Sequence, residues 1–159
     1  MTSINTGIYI GVAAILFWAA ATDLKDRRIP NIQPLLILGL FAVLALSRLI
    51  AEDGPMQALI WPALAGVIVF ACCTVLFALK LMGGGDVKLM AAMALIAGPS
   101  LSASFLFYVA IAGGMLALAM IMHKWLITHA EEPPKIPYGV AIMAGGIWVC
   151  FQKIPLATA

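Results

Sequence analysis

Two carboxylates stand out in a chain that otherwise avoids charge. Asp23 closes the apolar run FWAAATD, and Asp86 follows three consecutive glycines in LMGGGDVKLM. Each glycine costs roughly 1 kcal/mol relative to alanine in a helix. A charge near hydrocarbon costs about 3 kcal/mol or more, so a sequence that is 64% hydrophobic and 10% charged needs compensation for both. Paired carboxylates carry out general acid–base chemistry. The ionised member takes a proton from water while the protonated one donates to a carbonyl oxygen as it becomes tetrahedral. Like charges close together do not both ionise easily, so a shared proton is expected near neutral pH. The corresponding reaction is peptide-bond hydrolysis with water as nucleophile and no covalent intermediate. By helix position, Asp86 occupies an N-cap site, where the dipole favours its anion, and Asp23 lies near a helix C-terminus, where it does not. This predicts Asp86 as base and Asp23 as acid.

Simpler readings exist for each residue alone. Asp23 could pair with Arg27 at i+4 in a solvated basic loop, and Asp86 could be a plain N-cap. A proton- or cation-coupled transporter could use the same two acids beside a broken helix. Such transporters usually carry internal repeats, and residues 1–79 and 80–159 share no motif in corresponding positions. A non-catalytic membrane scaffold would tolerate Asp-to-Asn changes at both positions. A glycine run beside Asp86, with both acids on one side of the membrane, favours the dyad.

The elements that must position these acids follow from composition. A mean hydropathy of +1.10 over 159 residues fits lipid as the solvent and excludes an ordinary water-soluble domain. Charge, Pro and Gly cluster at 23–31, 51–55, 79–88, 98–100 and 123–139, dividing a single domain (1–159) into six apolar segments: 4–22, 32–50, 56–80, 87–98, 101–122 and 138–152. Lipid offers backbone groups no partners, so the segments are helices and the fold class is all-α and polytopic, with about six transmembrane helices. The fourth segment is short, about 18 Å at the helical rise, and the glycine-rich loop before it is expected to border a wet pocket. Lys25, Arg27, Arg28, Lys80, Lys88, Lys124 and Lys135 fall at the first, third and fifth connections, seven of the nine basic residues. The positive-inside rule places those connections in the cytoplasm and both termini outside.

Other features read as structural. Cys72, Cys73 and Cys150 lie in apolar runs without CxxC spacing and are expected to be packing residues. Gly7 and Gly11 form a GxxxG suited to helix packing, and Lys88 is expected to snorkel to the surface. His123 and His129, near Glu131 and Glu132, suit a solvated loop better than a metal site. The start MTSINTGIYI lacks the basic residues of a cleaved signal peptide. A net charge of +2 does not point to nucleic acid, and neither a metal nor another cofactor is called for.

Three stretches in order, Asp23-Leu-Lys-Asp-Arg-Arg-Ile-Pro-Asn31, Gly83-Gly-Gly-Asp86-Val-Lys88-Leu and Lys135-Ile136-Pro137-Tyr138-Gly139, resemble the type IV prepilin leader peptidases, membrane aspartic proteases with a GxGD motif. The resemblance implies Asp23 and Asp86 as the catalytic pair. It also implies a prepilin or pseudopilin substrate, cut where its basic leader meets the bacterial inner membrane on the cytoplasmic side. Gly83, Gly84, Gly85, Lys88, Pro137, Tyr138 and Gly139 are then expected around the substrate, with the glycines allowing close approach of its backbone. Asp26, Glu131 and Glu132 would lie near the basic leader. Larger relatives carry paired CxxC motifs in a cytoplasmic region and also methylate the product. The first connection here is short and CxxC is absent, so methyltransferase activity is not expected and the chain looks most like the short peptidases of tight-adherence (Flp) pilus systems. Oligomeric state is not legible.

Overall fold

A computed structural model describes residues 2–51, 54–123, 125 and 137–154. Lys124, His129, Glu131, Glu132, Lys135 and Ile136, invoked above, lie outside the described residues. The architecture is all-α: α1 (Thr2–Asp26), α2 (Ile32–Ile50), α3 (Trp61–Ala78), α4 (Gly84–His123) and α5 (Tyr138–Lys153). Four stretches are long and apolar enough to cross a membrane: Ile4–Asp26, Ile32–Ile50, Met56–Ala78 and Gly84–His123. Many large apolar side chains, including Phe17, Leu35, Val67, Phe107 and Leu118, face outward. An apolar exterior of this extent suits lipid.

The sequence divides 87–98 from 101–122, whereas the structure runs both through α4, interrupted only at Gly98. Gly98 has φ 68° and ψ 179°, a region essentially closed to residues with a side chain, and Pro99 restarts the helix beyond it. Ser102 covers the carbonyls this break exposes. Its Oγ donates to Gly98 O at 2.6 Å and to Ala94 O at 3.4 Å. The two expected segments are thus the two arms of α4, 84–97 and 99–123, on either side of this kink.

Other ends have local causes. Pro62 lacks the N–H for the i−4 carbonyl, and the preceding turn, Met56–Ile60, widens to π-helical spacing. α3 stops in a Schellman arrangement, with Lys80 N–H on Phe77 O and Leu81 N–H on Leu76 O, both at 2.9 Å, and Lys80 at φ 60°. Arg27, at φ 52°, ends α1.

With lipid outside and apolar side chains inside, close packing rather than burial holds the helices together. α5 packs on α1 and on α4, while α1 and α4 have no direct backbone packing, so α5 stands between them. Its small residues permit this. A Cβ at Gly146 would lie 2.5 Å from Leu16 of α1 and 3.2 Å from Met93 of α4, and one at Gly145 would lie 2.7 Å from Val109. Leu16, Met93, Phe105 and Ile142 are fully buried along this seam, and Ile37 and Leu89 are fully buried in the same core. Of the GxxxG pair, Gly11 faces Leu40 of α2 and Gly7 faces open space. Cys73 and Cys150 are buried and Cys72 is exposed.

Candidate active site

Asp23 lies in the last turn of α1 and is 7% exposed. Its Oδ2 accepts the Gly139 N–H at 2.7 Å. Gly139 is the second residue of α5, after Pro137 and Tyr138, so the positive end of that helix points at the carboxylate. The contact is possible only without a side chain, because a Cβ on Gly139 would sit 2.8 Å from Asp23 Cβ and 2.9 Å from its Oδ2.

Asp86 lies in the first turn of α4, whose helix starts at Gly84. It is therefore an N3 residue and not the N-cap expected from sequence. Its Oδ2 reaches back to accept the Gly83 N–H at 3.2 Å, one half of a capping box. Its Oδ1 is buried and has no hydrogen-bond partner among the described residues. Asp86 lies at the same end of the bundle as Asp23, since the connection that follows Asp23 packs on the neighbouring Gly85. The N-terminus of α5 thus faces Asp23 as that of α4 faces Asp86, and Asp23 holds the shorter hydrogen bond.

The connection after α1 sets the two acids at one end of the bundle. A Cβ on Gly85 would meet Ile29 O at 2.8 Å and Ile29 Cβ at 2.9 Å, so residues 27–31 lie directly on the start of α4. Lys88 Nζ donates to Asn31 Oδ1 at 2.9 Å, fastening α4 to the start of α2. The close approach of Gly85 is thus to the chain's own backbone. Gly83 faces the Asp86 carboxylate and Gly84 faces the Phe77 ring. Gly85→Ala is expected to push residues 27–31 away and slow peptide cleavage by about a hundredfold, since misplacement on the order of 1 Å costs that much. A cleavage time course at matched membrane abundance checks this, and an unchanged rate would remove the connection from any role in alignment.

The remaining expected residues divide. Gly139 contacts Asp23 directly, and Pro137 precedes the helix that aims at it. Tyr138 instead turns its ring toward Gly113 in the second arm of α4, where a Cβ would be 3.4 Å from Cε1. Beside Lys88 and Asn31 opens an apolar groove of about 570 Å³ between α2 and α3, floored by Ala91, Ala92 and Leu95 of α4. Sequence reading did not single out Gln33, which is fully buried at this same end. As the polar member of the 33, 37, 41, 44 face, it could have been found by asking why a core stripe begins with an amide.

An all-α, multi-pass membrane bundle with two acids gathered at one end by glycine contacts is the class that fold and site define. The chain belongs to the type IV leader peptidase family, whose sequence model matches residues 10–118, a stretch that includes both carboxylates. It is accordingly a member of a peptidase family. No curated protein and no solved structure matches it.

Proposed function

We propose that this chain is an aspartic endopeptidase that removes the leader from type IV, Flp-type prepilins or pilin-like precursors at the cytoplasmic face of the bacterial inner membrane. The observation that carries this reading is the placement of Asp23 and Asp86 at one end of the bundle, one held by Gly139 N–H and the other by Gly83 N–H, with the connection that follows Asp23 packed on Gly85 beside Asp86. Asp23, facing the N-terminus of α5, holds the negative charge and takes a proton from the attacking water. Asp86 holds the proton and gives it to the carbonyl oxygen of the scissile peptide. The basic connections at this end favour a cytoplasmic orientation. The precursor's apolar helix occupies the groove between α2 and α3, where the small residues Ala91 and Ala92 admit a close helix backbone. Its leader extends past Lys88 into water.

The test reconstitutes the purified protein in lipid nanodiscs with a Flp-type precursor that retains its leader and helix. A single cut at the leader–helix junction is expected from the unmodified chain and none from the Asp23→Asn/Asp86→Asn double variant. An intact precursor in both, alongside proton- or cation-dependent flux into vesicles, would favour the transporter reading.

A further inference from the structure

The inner face of α2 presents Gln33, Ile37, Phe41 and Leu44, so a carboxamide begins a stripe that is otherwise apolar. Gln33 is fully buried. Its Nε2 donates to Thr22 Oγ1 at 3.1 Å, and Thr22 is the residue immediately before Asp23. Thr22 Oγ1 in turn donates to Trp18 O at 3.1 Å and Ala19 O at 3.0 Å. The amide thereby ties α2 to the turn of α1 that carries Asp23. Its other atom, Oε1, is buried without a hydrogen-bond partner among the described residues.

Buried amide oxygens nearly always accept a hydrogen bond, and leaving one unsatisfied is unfavourable for folding. A leucine would fill this position of the stripe at no such penalty. Gln33 Oε1 and Asp86 Oδ1 are both buried without a partner among the described residues, and both lie at the end of the bundle where Asn31 bonds Lys88 and Ile29 covers Gly85. With Asp86 protonated, as proposed above, its free oxygen is a donor, and Gln33 Oε1 is left as the buried acceptor at this end that a water would satisfy.

We infer that Gln33 is a positioning residue of this site. Its Nε2 holds the Thr22–Asp23 turn in register, and its Oε1 accepts a hydrogen bond from water in the cleft, restricting where the attacking molecule sits. This rests on the peptidase reading above. Gln33 acts through Asp23 and through water and makes no bond to the scissile peptide. The charged groups carried at this end by the elements around it are Asp23, Lys25 and Asp26 on α1, Arg27 and Arg28 in the connection, and Asp86 and Lys88 on α4.

The experiment compares wild type, Gln33→Leu and Gln33→Glu in nanodiscs, measuring kcat, KM, the pH–rate profile and the thermal midpoint. Gln33→Leu is expected to lower kcat by about 10- to 100-fold with KM within about twofold, while its thermal midpoint stays close to wild type because the lost Thr22 hydrogen bond is offset by the removal of a buried amide from an apolar stripe. Protonated glutamate is isosteric with glutamine and offers both a donor and an acceptor. Gln33→Glu should therefore retain activity at the acidic end and lose it as that carboxyl ionises, a limb that wild type and Gln33→Leu lack. Full kcat in Gln33→Leu overturns the inference. So does a thermal midpoint several degrees below wild type, which would make the amide a purely structural bond. Wild-type protein that leaves the precursor intact sinks the peptidase reading instead, and the thermal comparison still decides whether Gln33 is there for folding.

Discussion

Asp23→Asn and Asp86→Asn each lower precursor processing by about a thousandfold or more, and the double substitution lowers it little further. General acid–base catalysis by one positioned group contributes roughly a hundred- to ten-thousandfold. Groups that act on one proton act as a unit, so their losses do not add. Asparagine nearly matches aspartate in size and keeps an oxygen able to accept from Gly139 N–H or Gly83 N–H, so both variants should fold and reach the membrane at normal abundance. Initial rates at saturating precursor, normalised to folded protein in each preparation, check the prediction. Multiplicative losses in the double variant would mean that the two acids work in separate steps, and full activity in either would end the dyad mechanism.

Gly139→Val is expected to be nearly as damaging, although valine carries no charge and position 139 donates only through its backbone. The new Cβ would begin 2.8 Å from Asp23 Cβ and 2.9 Å from Oδ2, and the branch would add further contacts. Neither Asp23 nor the first turn of α5 can withdraw freely, because Gly145 and Gly146 lock that helix against α4 and α1 one to two turns further on. The 2.7 Å hydrogen bond breaks, and Asp23 moves from the α5 N-terminus. Processing should fall by at least about a hundredfold, as expected for misplacement on the order of 1 Å. Gly139→Ala, with one Cβ, should fall between wild type and valine. Cleavage rates and thermal midpoints of the two variants give the comparison. A valine variant that cleaves normally would show that the N–H of α5 is dispensable.

Much of this arrangement is legible in the sequence because lipid reduces the choice of backbone to helices. The segment 32–50 coincides with α2, and 138–152 falls one residue short of the end of α5. The gathering of Asp23 and Asp86 at one end followed from alternating connections. What the sequence hides depends on packing partners. GPS at 98–100 marks the break between the two arms of α4, but the sequence does not show how short it is: one residue with positive φ separates them, and Ser102 caps the exposed carbonyls. The glycines at 83–85 look like a binding loop, but Gly85 is matched to Ile29, some fifty residues earlier. The acid–base assignment drawn from α1 and α4 alone omitted α5, whose start faces Asp23 from outside the matched stretch 10–118.

The donor that holds Asp23 arrives 116 residues after it in the polypeptide. A ribosome-bound chain that has threaded its first four helices into the bilayer already displays both acids, yet without α5 one of them lacks its anchor. Completion of the site would then wait until α5 packs on α1 and α4.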